Sequence, residues 1–251
     1  MAMTAMIGEG IFTQDGPAWK HSREVLRKQF MRMQYQNLKG FREHLENLIG
    51  RMNNAPSGIT DLQPMFYRLT LGTTIARILV QPVESFEHEI GDLFSKAFDK
   101  ASLVTGTRAR LGDLYFIYRP RGFFKACETI KTYTYQFVAE ALKRESDCPA
   151  ESEKSSFIAD LYQDKQKLQL AGEQVLNILI AGRDTTVATL SYAFHLLLGN
   201  PKILECLRRE IDTVVGDEKE VTRVHIQQMP YLRNVLQESK ADQQALQPDI
   251  R

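Results

Sequence analysis

The sequence predicts a mainly α-helical protein. Apolar residues recur at helical spacing along almost the whole chain, and strand-type alternation is almost absent. One pattern, Leu168 to Leu198, runs unbroken and apolar on most sides, so it is expected to be a long helix buried on most sides. At 1.5 Å per residue it would span roughly 45 Å.

The other elements follow in order. The turn Asp15-Gly16-Pro17 opens a helix over Trp19–Met33. A second runs from about Asn37 to Met52 and ends in the loop Asn53 to Gly58. A third opens at the capping pair Thr60-Asp61, carries Leu62, Met65, Phe66, Leu69 and Thr73, and stops at Pro82. Further helices fit Val83–Val104, Gly122–Arg144 and Phe157–Gln163. After the long helix, Pro201 begins one through Val214, a short one follows Thr222, and a last one begins near Pro230. The polar stretch Ser146–Ser156 reads as a loop and is the only candidate boundary inside the chain.

Composition bounds the function. The 251 residues are 43% hydrophobic and 25% charged, the balance of a globular protein, with a formal net charge of +1. That charge gives no bulk attraction to nucleic acid or to an anionic membrane. Cys127, Cys148 and Cys206 are scattered, with no histidine at metal-ligand spacing, so no metal ligand is assigned and a reducing compartment is expected. The start, MAMTAMIGEGIF, has neither the basic nor the apolar region of a signal peptide. Arg183, Asp184 and His195 interrupt the most apolar stretch, which argues against a transmembrane segment.

The segment Ala181-Gly182-Arg183-Asp184-Thr185-Thr186 breaks helix rules inside the longest helix. A glycine costs about 1 kcal/mol relative to alanine there. An aspartate is costly to bury unless paired. Threonine hydroxyls can bond the carbonyl four residues back, Ala181 for Thr185, and bend the helix. Two readings stand: a kink with a satisfied Asp–Arg pair, or a functional site distorted near Gly182.

This AGRDTT segment resembles the central-helix signature of cytochromes P450. The resemblance implies that Ala181 and Gly182 leave room for dioxygen over a haem. It implies that Asp184 is a proton-relay acid and that Thr185 offers the hydroxyl beside the bound oxygen. Trp19-Lys20-His21-Ser22-Arg23 matches the family's W-x-x-x-R, preceded by GEGIFTQDGP. Positions four apart share a helical face, and an indole N–H and a guanidinium are both donors. The resemblance gives Trp19 and Arg23 a haem propionate as their target. NPKILECLRREI and MPYLRNVLQES resemble the next helices, so the likeness runs from about Ile7 to Ser239. GEGIFTQDG, LYFIYRPRGFFKAC and AGRDTT are similar to fungal enzymes that hydroxylate n-alkanes and fatty acids.

The family expectation is therefore a monooxygenase using haem b, dioxygen, a hydrophobic substrate and electrons from an NADPH–P450 reductase. Lys20 and Arg27, seven apart, with Lys28 nearby, are either a solvated basic face or part of the reductase contact. The departures are equally specific. Glu238 stands in the family's Glu-x-x-Arg, but Ala241 takes the arginine position, and the cysteine loop that ligates haem is missing. The domain expectation is a partial P450 domain over 1–239 with an aberrant tail over 240–251. The fold expectation is a truncated P450 helical core with the long central helix and most β-sheet elements missing. Full-length relatives would sit at the endoplasmic reticulum membrane. This shortened chain is expected to be cytoplasmic or peripheral, inactive, and prone to associate through exposed apolar surface. The alternative is a non-catalytic helical module that binds hydrophobic ligands or a reductase.

Overall fold

The computed structural model describes residues 2–33, 39–55, 58–79, 89–147, 157–165, 168–216 and 221–245. Among the described residues eleven α-helices follow one another and no strand occurs. They are α1 (Thr4–Ile7), α2 (Gly16–Met33), α3 (Lys39–Asn53), α4 (Leu62–Leu79), α5 (Glu89–Arg110) and α6 (Phe123–Asp147). Then come α7 (Phe157–Lys165), α8 (Leu168–Gly199), α9 (Pro201–Val215), α10 (Arg223–Gln227) and α11 (Pro230–Ala245). A 3-10 turn, Gly112–Phe116, joins α5 to α6.

The expected helices are present, with local causes for their ends. The Asp61 carboxylate accepts the Gln63 N–H at 3.1 Å and caps α4. Thr222 caps α10 by a reciprocal pair: its hydroxyl accepts the His225 N–H, and the His225 ring accepts the Thr222 N–H. Helix α1 and the 3-10 turn lie in stretches that carry no helical expectation. Pro82, Cys148 and most of the Ser146–Ser156 loop lie outside the described residues.

Two compact units are formed, Met1–Asn54 with Arg68–Arg183, and Ala55–Tyr67 with Asp184–Arg251. The division does not fall at Ser146–Ser156, because α6 and α7 on either side pack together in the first unit. Phe157, Ile158 and Leu161 of α7 join the same core as Phe137 and Val138 of α6.

The first unit is built on α5 and α6, which pack against each other and against α1. The Phe94 ring meets Phe98 at 5.8 Å and Phe137 at 6.0 Å, the tilted geometry aromatic pairs favour. Residues 171–179 of α8 are all buried in this unit. In the second unit α9 packs on α11, and Phe66 lies 5.5 Å from Phe194. Helix α11 begins at Pro230, and both oxygens of Glu210 accept the next amides, Tyr231 and Leu232, at 2.8 Å each.

Helix α8 is one continuous α-helix, as the sequence predicts. The distortion expected near Gly182 does not interrupt it. Its burial is uneven: complete over 171–179, then partial, with Thr185, Thr186 and the last turn exposed.

Candidate functional site

At 100° per residue, Ala181, Asp184 and Thr185 fall on one face of α8, and Arg183 points to the opposite side. The burial follows that wheel. Arg183 is only 2% exposed, whereas Ala181 and Asp184 are half-buried and Thr185 is exposed. Arg183 reaches across the core of the first unit, lies 4.9 Å from the Phe98 ring, and ends in an ion pair with Asp99 of α5. The sequence offered Asp184 as the neighbour for this cation. The structure gives it Asp99, 84 positions away, a partner no local pattern reveals.

Gly182 faces a second helix. A methyl group there would sit 3.2 Å from Thr74 Oγ1 of α4, tighter than ordinary contact. The Thr74 hydroxyl is itself fixed, donating to the Thr70 carbonyl at 2.6 Å. The glycine thus lets α8 and α4 approach closely. One turn on, the Thr185 carbonyl accepts the Thr189 hydroxyl at 3.0 Å.

Trp19 and Arg23 come together one turn apart on α2, the guanidinium carbon 5.1 Å from the indole centroid. Trp19 is half-buried and Arg23 exposed. Among the described residues no protein acceptor takes the indole N–H or the guanidinium. Two adjacent donors without an acceptor fit an acidic group.

A sequence model of cytochrome P450 matches residues 2–239. The chain belongs to the cytochrome P450 family. It is 37% identical over 246 residues to a cytochrome P450 of Arthroderma benhamiae, which covers 94% of this chain and 49% of that protein. It is 34% identical to cytochrome P450 52A9 of Candida maltosa and 32% identical to cytochrome P450 52A12 of Debaryomyces hansenii. Those matches cover 93% of this chain in both cases, and 48% and 49% of the relatives. The chain spans about half the length of the curated relatives it matches. The crystal structure of the cytochrome P450DA heme domain shares the fold, with a TM-score of 0.73 at 18% identity. That superposition covers 95% of this chain and 53% of that one.

Cytochromes P450 imply a haem, and the residues here fit its two ends unequally. Trp19 and Arg23 suit a propionate. Of the two described cysteines, Cys127 does not suit the iron. Cys127 lies inside the α6 core, where burial pushes its thiol up to about 11 against the pull of Lys131 and Arg108, so it keeps its proton. Cys206 of α9 accepts a hydrogen bond from Arg209 at 3.2 Å. No group of three His, Cys, Asp or Glu able to hold a metal occurs among the described residues.

Three further residues escape motif reading. Glu173, Gln174 and Asn177 are buried polar groups in the most apolar part of α8. Their signal is the pattern i, i+1, i+4 in an otherwise apolar run, which marks one polar stripe facing a partner.

Proposed function

We propose that this chain carries the central-helix half of a haem-dependent monooxygenase acting on an n-alkane or fatty acid. The observation that carries the reading is the wheel of α8. With Arg183 anchored to Asp99, the small Ala181, the acid Asp184 and the hydroxyl Thr185 share the other face. A carboxylate beside a hydroxyl can pass a proton: Asp184 takes it from water, and Thr185 both accepts and donates. Haem, when bound, supplies the activation of dioxygen. Trp19 and Arg23 would hold a propionate through the indole N–H and the guanidinium. The fungal likeness of AGRDTT and LYFIYRPRGFFKAC supports a long apolar substrate.

None of Cys127, Cys148 and Cys206 has the sequence context of the family's ligand loop, so in this reading none serves as the axial ligand and the chain by itself should not turn over. Titration of the purified chain with haem tests both parts. Expected is saturable binding that Arg23→Ala weakens several-fold, with no cysteine-ligated band in the reduced carbon-monoxide spectrum. Binding indifferent to both Arg23→Ala and Trp19→Phe would end the propionate assignment. A cysteine-ligated band lost in Cys127→Ser, Cys148→Ser or Cys206→Ser would overturn the ligand assignment.

Two surfaces support the family's partners. Lys20, Arg27 and Lys28 are exposed on α2 and suit an acidic flavoprotein reductase. Leu114, Phe116, Ile117 and Phe124 are exposed around the α5–α6 turn beside Arg119, Arg121 and Lys125, which suits attachment to the surface of the endoplasmic reticulum membrane. No helix among the described residues is long and apolar enough to cross a membrane. Rising salt should weaken binding to the reductase and to anionic vesicles. Binding that is equal at low and high salt would remove these assignments. Residues 240–251 are read as a departure from the family, supported by the family match ending at 239 and by Ala241 in place of the arginine.

A further inference from the structure

Glu173, Gln174 and Asn177 are 5%, 2% and 0% exposed. Burying such groups is unfavourable unless each is partnered. Much of their bonding goes to one stretch of chain, residues 7–22, which leads into α2. Glu173 Oε2 accepts the Glu9 N–H at 3.0 Å. Asn177 Oδ1 accepts the Phe12 N–H at 3.2 Å, and its Nδ2 donates to the Ile7 carbonyl at 3.2 Å. Gln174 Nε2 donates to Ser22 Oγ at 3.0 Å, and that hydroxyl donates to Gln14 Oε1 at 2.7 Å.

The stretch is shaped for this contact. Gly8 has φ +65°, and a Cβ on it would fall 2.1 Å from Glu173 Cδ. A Cβ on Gly10 would fall 2.3 Å from Asn177 Nδ2. Thr13 closes the turn from inside, donating to the Gly8 carbonyl at 2.7 Å and accepting the Gly10 N–H at 2.9 Å. On its other flank the ring of Tyr135 of α6 lies against Gly172, the residue before Glu173. Ser22 sits between Trp19 and Arg23 on the first turns of α2. The Gln174–Ser22 bond therefore fixes how α2 is rotated, and with it the direction of both donors.

We infer that Glu173, Gln174 and Asn177 are positioning residues: they clasp residues 8–14 onto α8 and thereby aim Trp19 and Arg23 at an acidic group. This rests on the reading of those two residues as propionate donors. Such a clasp acts on discrimination between a charged and an uncharged ligand rather than on folding alone.

Trp19 is the only tryptophan in the chain, so its fluorescence reports this place alone. Quenching titrations compare haem with haem dimethyl ester, whose propionates are capped. The wild-type chain is expected to prefer haem by about tenfold, the scale of one charge-assisted hydrogen bond. Glu173→Ala and Asn177→Leu should bring the ratio close to one while far-ultraviolet helicity is kept. Glu173→Gln retains an acceptor for the Glu9 N–H and should keep most of the preference. Should either disruptive variant fail to fold, Ser22→Ala removes only the Gln174 link and should lower the ratio several-fold. A wild-type ratio retained in the folded variants overturns the inference and leaves the propionate reading intact. No preference in the wild type overturns the propionate reading, and this inference with it.

Discussion

Residue by residue, the informative side chains are those whose surroundings oppose their chemistry. Arg183 is a cation in a core, and it pairs with Asp99 and lies against the Phe98 ring. Cys127 is a thiol in the same unit, and its environment sets a pH dependence. Burial raises the folded thiol from 9.0 to about 11. Below pH 9 both folded and unfolded chains keep the proton, and the contribution is fully present. Between about 9 and 11 the unfolded chain loses its proton first, so stability falls as pH rises. The expected loss is on the order of 1–2 kcal/mol across that window. Tyr135, raised from 10.0 to about 12 by burial and by Glu173, acts with the same sign one unit higher. Urea midpoints at pH 8 and pH 10.5 should therefore drop further in the wild type than in Cys127→Ala. Equal drops would mean that the thiol ionises as easily folded as unfolded.

At the scale of elements, most of the helices were legible because their signals are local. Capping pairs, prolines at first turns and 3.6-residue periodicity need no knowledge of the rest of the chain. Thr222 and Pro230 illustrate this, since each begins a helix where the pattern places it. What was not legible is what crosses between helices. Glu210 caps α11 from α9, 21 positions before its first acceptor bond, and nothing near Pro230 announces it. Gly182 is the sharpest case. The resemblance implies room for a ligand at this position, and the structure also sets it against Thr74 of α4. The two roles predict different mutants. Gly182→Ala gains about 1 kcal/mol of helix propensity but meets the Thr74 hydroxyl, with overpacking of typically 1–3 kcal/mol. The substitution should therefore destabilise the wild type, yet stabilise a Thr74→Ala background by up to about 1 kcal/mol. Chemical denaturation of the four chains measures the sign change. The same sign in both backgrounds would separate Gly182 from the helix crossing.

Across the whole molecule, the family match covers nearly the whole chain, yet the two compact units are unlike in what they bury. The first unit holds a continuous core of side chains from Met6 to Leu179. In the second, Phe66, Val187, Ala193, Leu207 and Met229 are the fully buried apolar residues among those described. Ile59, Leu198, Ile203, Val221, Val224 and Ile226 are exposed there, Ile59 to 83% and Leu198 to 75%. Apolar burial is the main source of local stability, and amide exchange reads the free energy of local opening. Helix α8 provides the internal comparison, since one unbroken helix carries both environments. Amides over 172–180, in the buried run, should exchange on the order of a hundredfold more slowly than those over 190–199, a difference of roughly 3 kcal/mol in opening. Helices α9 and α10 should exchange as fast as the end of α8, and α5 and α6 as slowly as its buried run. Mass-resolved exchange on the intact chain gives all of these together. A flat profile along α8 would mean that opening is global, and that the second unit draws its stability from something other than its own buried apolar surface.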